Sequence, residues 1–181
     1  SGRRVQMRRV VDVNVLVVAN ERCDHATERC VLAVTGELSQ IVKKANEGSL
    51  KVVIDAGDEI LKEYGRHASR SGRPGAGDFF FKWLWDRQTD PHFCEQASVN
   101  RDAQRGYSEF PADQDLAAFD RGDRIYVAVA IVSGADVVNA VDTDWAMFEM
   151  ALRKNGVRVK NLCADMLQHT GGGNSHGDHK P

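Results

Sequence analysis

The sequence predicts an α/β fold built on a mainly parallel sheet, and three observations carry that expectation. Apolar, β-branched runs at residues 7–19, 50–55 and 136–141 read as strands. They are nearly continuous rather than alternating, which suits a sheet covered by helices on both faces. Between them lie segments with helical recurrence, and parallel strands need a crossover that is usually a helix.

The first element, "MRRVVDVNVLVVA", reads as a strand through residue 19 with two polar side chains inside it, Asp12 and Asn14. A buried carboxylate is costly unless something compensates it, so Asp12 requires a partner. "RCVLAVTGELSQIVKKANEG" spaces Val31, Leu32, Leu38, Ile41 and Val42 as a helix would and ends in basic residues and Gly48. "LKVVID" is a second buried strand, and "AGDEILKEYGRH" opens on Asp58 and Glu59, acids that suit a helix N-terminus. Residues 68–77, rich in Gly, Pro and Ser, read as a loop, and "DFFFKWLWDRQ" as a helix buried almost all round.

Residues 89–115 are polar and weakly patterned and receive no assignment. The apolar run 125–132 fits a buried strand or a buried helix by pattern alone. The alternation already established, together with Ala128, Ala130 and an Asp123 suited to a first turn, selects a helix followed by the strand "DVVNAV". "DWAMFEMALRKNG" continues as a helix ending at Gly156, and "VRVKNLC" is a last strand. Residues 1–168 thus make a single domain, and the low-complexity tail 169–181, with His176 and His179, reads as disordered.

At 181 residues the chain can bury a core without disulfides or a structural metal. Lys and Arg number 24 against 26 Asp and Glu, a net charge of -2, which excludes the global signature of a nucleic-acid binder. An anionic partner therefore needs a local patch. Arg3, Arg4, Arg8 and Arg9 form one, and Lys62, Arg66, His67, Arg70 and Arg73 another, with a solvated surface as the competing reading. Cys23, Cys30, Cys94 and Cys163 show no metal-binding spacing and no disulfide framework, so a reducing cytoplasm is the expected setting. No apolar run approaches the ~18 residues of a membrane span, and no signal-peptide core opens the chain, which predicts a soluble protein without membrane contact.

In open α/β sheets, ligands gather outside the carboxyl ends of the strands. Asp12 lies in the first strand, Asp142 and Asp144 follow "VVNAV", and Glu63 and Asp123 sit on elements that a crossover can bring to the same edge. Clustered carboxylates remain anionic mainly when cations sit among them, and an all-oxygen ligand set suits Mg²⁺ or Mn²⁺. Such ions can activate water for phosphodiester hydrolysis. Each acid also has a structural reading: Asp12 as a salt-bridge partner, Asp123 as a helix cap, Asp142 and Asp144 as turn residues.

These blocks resemble the PIN-domain nucleases. "VVDVNVLVVA" is similar to the family's first-strand motif, "VIDAGDEILKEYGRH" to its second, and "FDRGDRIYVAVAIVSGADVVNAVDTDW" to its closing half. The three blocks occur in order over residues 9–148, with an insertion around 68–115 that the family lacks. Ala140 stands where many members carry Ser or Thr. The resemblance implies a Rossmann-like α/β/α sandwich and a Mg²⁺- or Mn²⁺-dependent endoribonuclease, with Asp12, Glu63, Asp123 and Asp142 as catalytic metal ligands. Asp144 joins them as a further ligand, and Asn14 and Asn139 support them. Glu59 competes with Glu63 and Asp120 with Asp123 for these roles. Lys62, Arg66, Arg70 and Arg73 would hold single-stranded RNA. The family's members often act as toxins paired with an antitoxin, so a defence role, a protein partner and a homodimer all stay open. One alternative is a PIN-like domain that binds RNA or protein without turnover. A more distant one is a haloacid-dehalogenase-like phosphatase, which needs a second Asp where Asn14 stands.

Overall fold

The computed structural model describes residues 5–167. Strand β1 (Met7–Val11) leads into helix α1 (Val13–Ala19), then α2 (Glu28–Asn46), β2 (Leu50–Asp55), α3 (Glu59–His67) and α4 (Ala76–Arg87). Next come β3 (Cys94–Ala97) and a small antiparallel hairpin, β4 (Arg101–Asp102) with β5 (Gly106–Tyr107). A tight helical turn at Arg121–Asp123 opens α5 (Arg124–Ser133), and β6 (Asp136–Asn139), α6 (Thr143–Met147), α7 (Glu149–Lys154) and β7 (Val159–Asn161) follow.

Five strands form one sheet in the order β3-β2-β1-β6-β7, and every neighbouring pair is parallel. Helix α5 packs across β1, β2 and β6, while α1 packs against α2, α3 and α4. The predicted α/β class holds: an all-parallel central sheet is flanked by helices, consistent with a Rossmann-like three-layer fold. The chain runs outward from β1 through β2 to β3, then returns to the other side of β1 to lay down β6 and β7. The switch point therefore lies between β1 and β6, where the crevice for a ligand is expected at the carboxyl ends of the strands.

The first strand is shorter than the sequence predicts. Val10 and Val11 are buried on both faces of the sheet, but pairing stops there. Asp12, extended at φ -64° and ψ 143°, accepts a hydrogen bond from the Asn14 N–H at 2.8 Å and caps α1. The valine-rich stretch that follows is helical despite its β propensity. Its buried residues Val15, Leu16, Val18 and Ala19 recur on one helical face, and that face is enclosed by three other helices, so packing overrides propensity.

The aromatic helix α4 buries Phe80, Phe81, Trp83 and Leu84, whereas Phe79 and Trp85 face outward. It crosses α1 so closely that a Cβ on Gly77 would collide with the Leu16 carbonyl oxygen, which only glycine avoids. Buried Asp78 fixes the preceding 68–77 loop by accepting hydrogen bonds from Ser69 N at 2.7 Å and Gly75 N at 2.9 Å, and it accepts another from Asn20 Nδ2 at 3.0 Å. The predicted helix 144–156 is two short helices that meet at Phe148, and the unassigned 89–115 stretch supplies an edge strand and the hairpin.

Cys30 and Cys163 form a disulfide, with Cα atoms 5.2 Å apart across 133 residues, contrary to the reading of unpaired thiols. Sequence spacing concealed it because the two residues meet only through the fold. The pairing removes the ground on which a reducing cytoplasm was expected. Among the described residues no helix is long and apolar enough to cross a membrane. In the N-terminal basic patch, Arg8 pairs with Glu95 at 3.0 Å and Arg9 with Asp136 at 3.4 Å. Arg3, Arg4 and the 169–181 tail with its histidines lie outside the described residues.

Candidate metal centre

Three of the predicted acids meet at the switch point. Asp12 stands at the carboxyl end of β1, Asp142 follows β6 as the cap of α6, and Asp123 arrives from the turn that opens α5. One carboxylate oxygen from each lies within 4.8 Å of the others, so the group could hold a metal ion. The side chains are positioned by capping: Asp142 accepts from the Asp144 N–H at 3.0 Å as Asp12 does from Asn14.

Asp12 is only 1 % exposed and both its oxygens are engaged, Oδ1 by Asn14 N and Oδ2 by the indole Nε1–H of Trp145 at 2.8 Å. Burial nonetheless outweighs these bonds and, with the nearby Asp142 charge, pushes its carboxyl up to about 6. Two tyrosines fix the surrounding backbone: the Tyr64 hydroxyl donates to the Val11 carbonyl, and the Val13 N–H donates to the Tyr126 hydroxyl at 3.3 Å. Asp123 is perturbed further. Burial, then the charge of Asp12 and a hydrogen bond shared with Asp142, push its carboxyl up to about 10, so it holds a proton at neutral pH. Its Oδ2 is buried without a hydrogen-bond partner. A buried, unpartnered carboxylate oxygen on a residue grouped with two other carboxylates fits a hard divalent cation, which would supply the missing charge and displace the proton.

The remaining predicted residues separate into distinct roles. Glu63 is outside this three-acid group; it pairs with Arg66 and, at 3.4 Å, with His67. Glu59, its competitor, pairs with Lys62 at 3.4 Å and Arg101 at 3.2 Å. Asp123 rather than Asp120 joins the group, because Asp120 caps the turn through Gly122 N and donates its own N–H to Asp144 at 3.2 Å. Asp144 thereby braces that turn.

Asn14 and Asn139 form a polar clasp beneath the acids. Asn14 Nδ2 donates to Asn139 Oδ1 at 2.9 Å, and Asn14 Oδ1 accepts from Ala140 N at 3.0 Å and Val141 N at 3.1 Å. Asn139 Nδ2 donates to the Asp142 carbonyl and to Asn161 Oδ1, both at 2.9 Å. These bonds tie the first turn of α1 to the ends of β6 and β7 and set the position of Asp142. At the position of Ala140, the backbone N–H serves the clasp.

The basic stretch does not act as one surface. Arg66 lines a cleft with Arg101 and Arg121, Lys62 pairs with Glu59, and the Arg70 guanidinium lies 4.5 Å over the Trp85 ring; Arg73 precedes the loop's Pro74. The sequence reading passed over Trp145, Tyr126 and Asn161. The aromatic directly after the Asp-x-Asp run was the one signal for Trp145, whereas nothing local marked the other two.

In comparisons with known proteins the chain matches no family model, and neither a curated protein nor a solved structure matches it significantly.

Proposed function

We propose that the chain is a PIN-like, Mg²⁺- or Mn²⁺-dependent endoribonuclease. The observation that carries the reading is the convergence of Asp12, Asp123 and Asp142 at the switch point of a parallel sheet, with the Asp123 oxygen left unpartnered. These three residues would hold the ion, which supplies water activation and stabilisation of a leaving oxygen. Asp12 is oriented for this by Asn14 and Trp145, Asp142 by the asparagine clasp, and Asp123 would give up its proton to the ion's charge. A toxin or defence role, with an antitoxin or other protein partner, is part of this proposal. Purified protein should cleave single-stranded RNA with Mn²⁺, and Asp12→Asn and Asp142→Asn should both abolish cleavage. Persistent cleavage in both variants would refute the assignment.

A second reading, a binding domain without turnover, is favoured by Glu63, whose pairing with Arg66 and His67 leaves the centre with three acids. Calorimetry distinguishes the two: no Mn²⁺ binding, with RNA binding that survives chelation, supports this second reading. The phosphatase reading loses ground, since Asn14 holds the clasp through its amide, and a carboxamide cannot act as a general acid.

A further inference from the structure

A cleft of about 380 Å³ is lined in part by the turn that carries Asp123. Its wall includes Arg121 and Gly122, which precede Asp123, Ile125 from the first turn of α5, and Arg66 from α3. Its far wall is the hairpin, through Arg101 and Tyr107, which belongs to the segment that the sequence left unassigned.

We propose that this cleft seats the sugar-phosphate backbone of a single RNA strand, with Arg101, Arg121 and Arg66 as its phosphate contacts, so that the hairpin is the substrate wall of the centre. This rests on the nuclease reading above. Three arginines against the two glutamates that also line the cleft, Glu59 and Glu63, leave one net positive charge in a chain whose total is -2. The arginine pairs are easily exchanged. The side chains of Arg101 and Arg66 are 71 % and 67 % exposed in their ion pairs with Glu59 and Glu63, and pairs so open to water contribute little. A phosphate can therefore replace the glutamate at small cost while gaining the bidentate geometry that guanidinium favours.

Arg121 is aimed in advance. Its two terminal nitrogens each donate to a hairpin carbonyl, Gln104 O at 2.9 Å and Ala103 O at 3.2 Å, which tie it to the turn between β4 and β5. Each of those nitrogens carries a further N–H, so the fork can hold the turn and an anion together. The volume is at the small end of ligand clefts and suits one strand, not a duplex. The arrangement also narrows the basic surface expected from sequence: of the four residues first considered for RNA, only Arg66 lines the cleft.

The test is fluorescence anisotropy in EDTA, which removes both metal and cleavage, with a fluorescein-labelled single-stranded RNA oligonucleotide and the duplex of the same sequence. Arg101→Ala combined with Arg121→Ala should weaken single-strand binding about tenfold or more, and the slope of log affinity against log salt should fall by ~1.4, or ~0.7 per lost contact. Arg158→Ala, at the amino end of β7 on the opposite edge of the sheet, should leave both unchanged. If loss of the Arg121 tether unfolds the double variant, as melting would show, Arg101→Glu at its exposed position carries the test alone with a loss of similar size. Unchanged affinity and slope, or no single-strand binding by the unmutated chain, overturns the proposal. Arginine-dependent binding without Mn²⁺-driven cleavage supports the cleft and sinks the nuclease reading. Cleavage with binding that ignores the arginines does the reverse.

Discussion

Replacing Asp123 with Asn removes the group whose proton a bound divalent cation would displace, and this gives the proposed centre a signature independent of any substrate. With burial, Asp12 and Asp142 pushing its carboxyl up to about 10, Asp123 is protonated across the neutral range. Cation entry then releases about one proton from it, and affinity rises about tenfold, or ~1.4 kcal/mol, for each pH unit. Between about pH 6.5 and 8 the gain is ~2 kcal/mol, roughly thirtyfold. Asp12, at about 6, has given up most of its proton over this interval and adds little to the slope. In Asp123→Asn an amide takes the place of a carboxyl that was already neutral, so the metal-free fold persists, but the proton release and the pH slope disappear. Calorimetric titration with Mn²⁺ in two buffers of different ionisation enthalpy counts the protons directly. Equal proton release and slope in the variant and the unmutated chain, or none in either, would show that Asp123 does not titrate against the cation.

Metal-free stability has a related pH dependence, with its sign fixed by the raised carboxyls. The folded state holds the Asp12 proton more tightly than the unfolded chain, so the contribution of that proton is full below about 3.8 and is lost as pH rises through about 6. The full loss is ~3 kcal/mol, most of it between pH 4 and 7, and Asp12→Asn should narrow the difference in denaturation free energy between those two pH values, measured in EDTA, by ~2 kcal/mol. Asn14→Ala removes three side-chain hydrogen bonds and strands two backbone N–H groups at Ala140 and Val141. It should cost about 2–4 kcal/mol in urea unfolding and also weaken Mn²⁺ binding, although Asn14 is no ligand. Cys30→Ser, or reduction, opens a link across 133 residues. A loss of about 2–4 kcal/mol by chemical denaturation is expected, and no change with reductant would contradict the pairing.

Much of the fold was legible because its determinants are local. The 50–55 strand and helix α2 are set by runs, periodicity and caps that lie within each segment, whereas the apolar run 125–132 became a helix only through the alternation of its neighbours. The centre was legible in part for a similar reason: Asp123 precedes and Asp142 follows an apolar element whose end was readable, and Asp12 stood out as a carboxylate inside an apolar run. The misjudged first strand shows the limit. Its valines carry no local mark of the change from sheet to helix, which is set by the Asp12 cap and by the three helices that enclose α1.

The sequence by itself determined the alternation of strands and helices, and with it the parallel sheet and the acids at its edge. Tertiary structure alone decided that Asp123 meets Asp12 and Asp142 while Glu63 turns to Arg66 and His67, that Arg101 and Arg121 join Arg66 in one cleft, and that Cys30 reaches Cys163. The physical reason is range. Propensity, periodicity and capping act over a few residues, whereas these meetings depend on strand order and helix packing between residues up to 133 positions apart.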